Sequence, residues 1–537
     1  MHFYDEWSDF RFAEYNSLLE LFGVSAEYNL QPQSTKGSSQ DLFRVSTLPS
    51  TEVAMQVCKR AVLVRGIYEL WGQGGTFDEL VEGVRMAPAE LSAPWCTPER
   101  SWCVDISSFG KSISQSQKEE MRKRFKFLNF TGTVTLHDAD LNLGVLLDFS
   151  GQKRDNEQVE ENEEGSALHV PCYCGRLLAR GGMREELRKY DLKKRLYLGP
   201  TSLDHALALI MANLAGAKPG CMALDPFVGT ASILIALSHF GAQCFGTDID
   251  VRVLKGAMYA GSSRNPGEKD EASTTFVPGV GHLPSPSPPS SEGAGGGAKR
   301  DIFETFRSYG LAAPELIRMD LHLLDRHLQS GVEAVFDVIV TDPPYGIRAG
   351  GRKSGKTNGC SYTVPEKDRP DHIPSTQNYP VEEVMLDLLH ASARLLVVGG
   401  SLCYLIPTSY EFDVDDLPKH PCLELTRLCH QGLSTRHGRH AVVMRKVREY
   451  SAHLRHEFDA YRQRVLTKDY DCGFSILLGK LEKALAPGGF ENQEVVKVAS
   501  KGALRRKDSA KTRKTSDWTG PYNGRPRHRP DEQDEKN

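Results

Sequence analysis

CMALDPFVGTASILIALSHFGAQCFGTDID, residues 221–250, decides the fold. A short apolar run ends in Asp225, a Pro/Gly turn follows, then an apolar stretch of helical length, then a second run ending in Gly246-Thr247-Asp248. Strand, turn, helix and strand in that order predict a βαβ unit with both strands parallel in one sheet. Gly229, in the strand-to-helix turn, lets backbone N–H groups approach a ligand closely. Neither a G-x-G-x-x-G nor a Walker lysine stands there, which argues against dinucleotide or nucleoside-triphosphate binding. A carboxylate ending the second strand, some twenty residues past the first turn, is placed to accept hydrogen bonds from ribose hydroxyls. The rival reading for Asp248 or Asp250 is a helix N-cap, and these residues alone do not separate the two.

The alternation continues outward. SLDHALALIMANLA (202–215) leads in as a helix, and 251–260 and 301–311 read as helices after it. Strands follow at 315–320 and 335–341, an amphipathic helix at 381–396 and a strand at 401–407. The final strands, 422–428 and 440–446, have only a short connection and predict an antiparallel pair at the end of the sheet. Such a pattern is a doubly wound α/β fold, with ligands at the carboxyl ends of its strands. The fourth strand of this series ends in Asp342-Pro343-Pro344-Tyr345. Prolines stop strand and helix alike, so a rigid turn would account for them. An acid, a locked backbone and an aromatic ring at one strand end also form a set that stacks a planar base and holds its exocyclic amine.

D-P-F-x-G-T, then G-T-D, then D-P-P-Y resembles the S-adenosylmethionine-dependent amino-group methyltransferases of the class I fold. YLGPTSLD, IMAN, LDPFVGT, FGTDID, IVTDPPYGIR, VMLDLLHASARLLVVGG and HPCLEL resemble the tRNA guanosine-10 N2-methyltransferase family in its eukaryotic catalytic-subunit form. IYELWGQG (67–74) is similar to the N-terminal half of that family, so the resemblance spans nearly all of residues 1–450. It implies a Rossmann-like class I methyltransferase domain with a seven-stranded, mostly parallel sheet, preceded by an α+β region holding a THUMP tRNA-binding domain. It also implies S-adenosyl-L-methionine as cofactor, tRNA as substrate, a small zinc-binding activator subunit as partner, and a cytoplasmic location.

Residue by residue, the resemblance assigns Asp342, Pro343, Pro344 and Tyr345 to catalysis. The Asp342 carboxylate and Pro343 carbonyl would accept from the amine, and Tyr345 would stack on the base. Asp225, Phe227 and Gly229 would line the methionine end of the cofactor, Asp248 would take the ribose and Asp320 the adenine amine. Pro200, Thr201 and Ser202 would close the pocket. No metal ligands are expected. Two positions depart from the family. Ala231 stands where a glycine is usual, which is strained if its φ is positive and harmless if negative. Arg439-His440 stands where two arginines are usual, weakening one basic contact. Two other readings remain: an adenine-N6 methyltransferase of nucleic acid, which the THUMP-like half argues against, and a catalytically silent tRNA-binding protein, for which Ala231 is the sequence hint.

The chain has 537 residues, room for three or four domains at about 150 each. With 66 Lys/Arg against 70 Asp/Glu its net charge is −4, which excludes a polybasic protein. Apolar residues are 39%, so polar linkers dilute the folded parts, and no run of ~18 apolar residues predicts a membrane span. MHFYDEWSDFRFAEY lacks the apolar core of a signal peptide. Twelve cysteines, none in C-x₂-C spacing, suit a reducing compartment.

The expected division is an N-terminal α+β region over 1–180 and the methyltransferase domain over 195–449, with a disordered Pro/Gly/Ser insert near 262–299. A helical segment over 450–490 and a basic, disordered tail over 491–537 complete it. The runs 31–40 and 154–165 are also too polar to fold. GTVTLHD (132–138) predicts a strand. Leu237 to Phe240 with Cys244 and Phe245 reads either as core or as an exposed edge covered by the activator. Ten Lys/Arg between Lys501 and Arg529 read either as a solvated terminus or as an arm on RNA phosphates.

Overall fold

The structure is a computed structural model. It describes residues 1–24, 42–150, 169–199, 202–255, 275–277, 281–283, 301–328, 334–345, 350–355, 365–366, 375–469 and 472–486. The polar stretches singled out above fall outside these residues, apart from two three-residue strands in the insert.

The N-terminal region holds strands β1 (His2–Phe3), β2 (Val64–Thr76), β3 (Trp102–Phe109), β4 (Leu141–Asp148) and β5 (His169–Arg180), in the order β1-β2-β5-β4-β3. Only β3 and β4 run parallel. Helices α1 (Ser8–Leu21), α2 (Thr51–Arg60), α3 (Phe77–Arg85), α4 (Ala89–Ser92), α5 (Gln115–Lys123) and α6 (Met183–Leu187) accompany the sheet. The apolar run 53–72 thus divides between a helix and a strand. Ser50 caps the helix by accepting from the Val53 N–H, and Val64 and Ile67 open the strand.

GTVTLHD forms no strand. It makes one isolated bridge, Trp102 to Val134. Val134 and Leu136 are 59% and 79% exposed, so the alternation that reads as a half-buried strand has no core beneath it.

From residue 195 on, the alternation appears as predicted. Helix α7 (His205–Leu214) leads in, capped by Asp204, whose Oδ1 accepts from the Ala206 and Leu207 N–H groups. Then come β6 (Met222–Asp225), α8 (Ser232–His239), β7 (Gln243–Asp248) and α9 (Val251–Leu254). The insert contributes β8 (Thr275–Val277) paired with β9 (Gly281–Leu283). Next are α10 (Ile302–Tyr309), β10 (Glu315–Arg318), α11 (Leu324–His327), β11 (Phe336–Thr341) and a short hairpin, β12 (Gly351–Ser354) with β13 (Thr376–Tyr379). Helix α12 (Val381–Leu395), β14 (Leu396–Ser409), β15 (Leu423–Gly432), β16 (His437–Lys446), α13 (Ala452–Leu466) and α14 (Gly473–Leu485) complete the chain.

The seven-stranded sheet has the order β10-β7-β6-β11-β14-β16-β15. Its first five strands are mutually parallel, and β16 runs antiparallel to both its neighbours. Alternate residues of each strand feed two cores, as period-2 geometry requires. Ala223, Val338, Val340, Cys403 and Leu405 pack with α7, α8 and α10 on one face. Leu224, Ile339, Leu402, Tyr404 and Ile406 pack with α12, α13 and α14 on the other.

The strip expected as core or as an exposed edge proves to be core. Leu237, Phe240 and Cys244 are buried and Phe245 packs against Phe336. An activator subunit has no apolar edge to cover there.

Helix α1 joins the two halves. Glu14, fully buried, accepts from the N–H groups of Val62 and Leu63 and from Asn213 Nδ2 of α7. Arg60 Nε donates to the same Asn213. Among the described residues no helix is long and apolar enough to cross a membrane.

Candidate functional site

Parallel strands end together, so the sheet brings the last residues of β6, β7, β10 and β11 to one edge. Thr341, the last residue of β11, is buried and donates its hydroxyl to Asp225 Oδ1 at 2.7 Å. The Phe227 N–H reaches the same oxygen at 3.1 Å. Asp225 is 1% exposed, and burial pushes its carboxyl up to about 7. The two hydrogen bonds oppose that rise, while the charges of Asp342 and Asp248 add to it.

Residues 226–231 wrap tightly over the strand ends. The Val228 N–H donates to the Thr247 carbonyl, and Thr247 Oγ1 donates to the Pro226 carbonyl. Gly229 N–H donates to Asp248 Oδ2 at 3.1 Å, and Asp250 N–H to Asp248 Oδ1 at 2.9 Å. Burial raises the Asp248 carboxyl, and these backbone donors partly offset it. The N-cap role falls to Asp250. Asp250 is the N-cap of α9, accepting from the Arg252 N–H at 2.9 Å, whereas Asp248 ties the turn to the end of β7. Backbone donors thus reach both oxygens of Asp248.

Gly229 and Ala231 both have positive φ, +48° and +63°. Ala231 is fully buried, in the left-handed region, and serves as N-cap of α8 with no side-chain cap. Alanine there is therefore the strained case: the left-handed conformation costs about 1–2 kcal/mol for a residue with a Cβ. The first N–H groups of α8 remain directed at the turn, an arrangement suited to a carboxylate.

Ser202 comes to the same turn, its Oγ 2.9 Å from Thr230 Oγ1 and 3.1 Å from the Gly199 N–H that donates to it. Pro200 and Thr201 lie outside the described residues. Phe227 is half-buried against the second core. Asp320 is 6% exposed and follows β10. Its Oδ1 accepts from the His322 N–H at 3.0 Å, and its Oδ2 accepts from the Ser354 N–H of β12 at 2.6 Å. The hairpin that follows Tyr345 is thereby fastened to the end of β10.

Asp342 and Tyr345 lie at the end of β11, Pro343 buried between them and Pro344 half-buried. Arg439 Nη1 donates to the Tyr345 hydroxyl at 3.3 Å and lies 3.9 Å from Asp342 Oδ2. Burial, with Asp342 alongside, pushes the Tyr345 hydroxyl up to about 12. His440, the second departure, is buried, bonded through Nδ1 to Thr408 Oγ1 at 2.8 Å, and pushed down to about 3 by desolvation. It carries no charge at neutral pH, so the basic contact rests on Arg439.

The sheet therefore gathers Ser202, Asp225, Phe227, Gly229, Asp248, Asp320 and Asp342 to Tyr345 along one edge. Sequence reasoning missed Thr341, whose only signal was its place just before Asp342.

A second concentration of acids, Glu383 and Asp387 with His322, lies beneath the hairpin. Tyr379 donates to Asp387 at 2.6 Å, while Lys353 and Arg462 pair with Glu383 and Asp387. These cations make it an ion-paired knot holding β13 and α13 to α12.

Known families match two stretches of the chain. Residues 1–176 match the Tmrp11 THUMP N-terminal domain, and residues 193–259 match the RMKL-like methyltransferase domain. The tRNA (guanine(10)-N(2))-methyltransferase TRMT11 of Homo sapiens is 33% identical over 449 residues, 83% of this chain and 87% of its own. That of Dictyostelium discoideum is 31% identical over 466 residues, 84% of this chain and 82% of its own. Among solved structures, TrmN from Thermus thermophilus aligns with 80% of this chain and 96% of its own, at 16% identity and a TM-score of 0.35. With relatives this similar along most of their length, the chain belongs to the tRNA (guanine(10)-N(2))-methyltransferase family.

Proposed function

We propose that this protein transfers a methyl group from S-adenosyl-L-methionine to the exocyclic N2 amine of guanosine 10 in tRNA, with Asp342-Pro343-Pro344-Tyr345 holding the amine. The observation that carries the reading is the union, at one sheet edge, of that tetrapeptide with the Asp225–Gly229 turn and Asp248, in a chain whose first 176 residues match a THUMP N-terminal domain. That domain also argues against an adenine-N6 enzyme, and the intact acids argue against a silent tRNA-binding protein.

The donor set fits the cofactor. Asp225 is a buried carboxyl pushed up for want of a cation, as a site for a cationic amino-acid moiety requires, and the uncapped start of α8 suits a carboxylate. Asp225, Phe227 and Gly229 would hold the methionine end, Asp248 the ribose and Asp320 the adenine amine, with Pro200, Thr201 and Ser202 closing over it. When bound, the cofactor supplies a methyl already activated on sulfur.

What remains for the protein is orientation and charge. The guanine amine is a poor nucleophile because its lone pair is delocalised into the ring. The Asp342 carboxylate and the Pro343 carbonyl accept its two hydrogens and aim the lone pair, while Tyr345 stacks on the base. Positive charge grows on nitrogen as the new bond forms. The acid opposes it, and the proton then leaves toward the carboxylate. Family resemblance further supports a small zinc-binding activator subunit as partner and a cytoplasmic setting.

The test is a tRNA transcript carrying inosine at position 10. Inosine pairs and stacks much as guanosine does but lacks the N2 amine. Methyl incorporation should vanish with it, and retained incorporation would refute the assignment.

A further inference from the structure

Arg195 precedes α7 in the chain, yet its side chain ends at the start of α8. It is 5% exposed, and its Nη1 donates at 2.6 Å to the hydroxyl of Ser232, the first residue of that helix. The segment it opens is pressed onto the turn before α8. Ser202 Oγ lies 2.9 Å from Thr230 Oγ1, and a Cβ built on Gly199 would stand 2.8 Å from Thr230 Cγ2.

This cation is poorly compensated. Among the described residues no acceptor takes its Nε or Nη2, and the Tyr309 hydroxyl alongside falls short of hydrogen-bond geometry. Asp204 attracts it, but that carboxylate caps α7. Burial pushes the guanidinium down from its ordinary value, more than Tyr309 and Asp204 offset. The bond to Ser232 sets it behind the first N–H groups of α8, which carry partial positive charge and no side-chain cap. A buried cation behind a helix start is costly alone, and an anion at that start stabilises both.

We propose that Arg195 is a positioning residue for the carboxylate of the cofactor's methionine moiety: through Ser232 it fixes the start of α8 and adds a full positive charge behind the N–H groups that receive the anion. The inference rests on the S-adenosyl-L-methionine reading above. The turn over 226–231 is then bounded by opposite charges. Asp225 before it suits the ammonium, and Ser232 after it brings Arg195 toward the carboxylate, so the turn reads a zwitterion from end to end. Arg195 acts without touching the cofactor, and its charge carries because burial lowers the local dielectric.

The test uses the full chain affinity-purified from its own cells, so that any bound subunit stays with it, and dialysed free of cofactor. Two probes differ in one group. S-adenosyl-L-methionine carries the carboxylate, and decarboxylated S-adenosylmethionine lacks it while keeping the sulfonium, the amine and the adenosine. Calorimetric Kd values for both are measured on wild type, R195M and S232A, with circular dichroism to check each fold. Wild type should bind the carboxylate-bearing probe at least about tenfold more tightly. R195M should weaken that probe about 10- to 50-fold and leave the decarboxylated one within about threefold of wild type. S232A cuts the link and should lose a few-fold, on S-adenosyl-L-methionine alone.

A merely structural role would weaken both probes in step and leave their ratio unmoved. Equal weakening, or unchanged affinity for S-adenosyl-L-methionine in R195M, overturns the proposal, as does a wild type that binds the two probes equally. If R195M fails to fold, S232A decides: a loss confined to the carboxylate-bearing probe supports the proposal, and no loss or an equal loss overturns it. A wild type that binds neither probe would sink the cofactor reading and this role with it. A wild type that binds S-adenosyl-L-methionine beside an indifferent R195M would sink the role of Arg195 alone.

Discussion

Replacing Asp225 with asparagine should make the protein more stable and less able to bind its cofactor. Asp225 is 1% exposed, and its carboxyl is pushed up to about 7 by burial, against about 3.9 for an unfolded chain. Below pH ~4 both states hold the proton. Between ~4 and ~7 the folded state keeps a proton that the unfolded state has lost, so stability falls as pH rises through that window, and above ~7 the loss is complete. Three units at about 1.4 kcal/mol each give an upper value of about 4 kcal/mol. Asparagine removes the charge and still accepts from Thr341 Oγ1 and the Phe227 N–H, but its amide N–H groups bring a buried-donor cost of about 1–3 kcal/mol.

The net expectation is a gain of about 1–3 kcal/mol at pH 8, shrinking toward zero or below at pH 4. In a domain of about 250 residues, 1 kcal/mol moves Tm by about 2–4 °C, so the pH 8 shift is several degrees. Thermal melts of the ligand-free protein at pH 5 and pH 8, with calorimetric titration of S-adenosyl-L-methionine, read both effects. A variant that melts below wild type at pH 8, or binds the cofactor as tightly, would show that Asp225 is not an acid held in wait for a cation.

The other expectations concern the same edge. Asp342→Ala should abolish methyl transfer with cofactor affinity near wild type, appearing in kcat alone, because in the proposed arrangement the acid faces the amine; near-full turnover refutes its role. Asp248→Ala should weaken cofactor binding by about 1–3 kcal/mol, as it removes charge-assisted bonds and frees the Gly229 N–H; unchanged affinity by titration would leave it only the turn. At Ala231, φ +63°, glycine relieves left-handed strain but adds unfolded-chain entropy, so Ala231→Gly should stay within about 1 kcal/mol of wild type, while the β-branched Ala231→Val should lose more than about 2 kcal/mol. Chemical denaturation separates these, and equal stability of the two variants would refute the strain.

Much of the catalytic domain was legible because strand ends and special residues coincide. Asp225, Asp248 and Asp342 each stop a run of strand length and Asp320 closely follows one, and the sheet gathers those ends without further instruction. The strand at 132–138 misled because alternating Thr, Val, Thr and Leu look half-buried, and burial is a tertiary property. The strip Leu237–Phe240 with Cys244 was ambiguous for the same reason: an apolar run does not say whether its cover comes from the same chain. The contacts that tune the site were illegible. Thr341 meets Asp225 across 116 residues and Arg439 meets Tyr345 across 94, through strand register that no local pattern carries. The conformation at Ala231 was posed by the sequence as an alternative, and only the backbone answers it.

The central claim is tested most directly by mapping the product. Unmodified tRNA transcript is incubated with S-adenosyl-L-methionine and the purified protein, alone and with the proposed activator subunit. The RNA is then digested to nucleosides and fragments for mass spectrometry. The account predicts a single N2-methylguanosine at position 10, absent with Asp342→Ala. Methylation of adenine, methylation at another position, or none at all while the cofactor binds would contradict it.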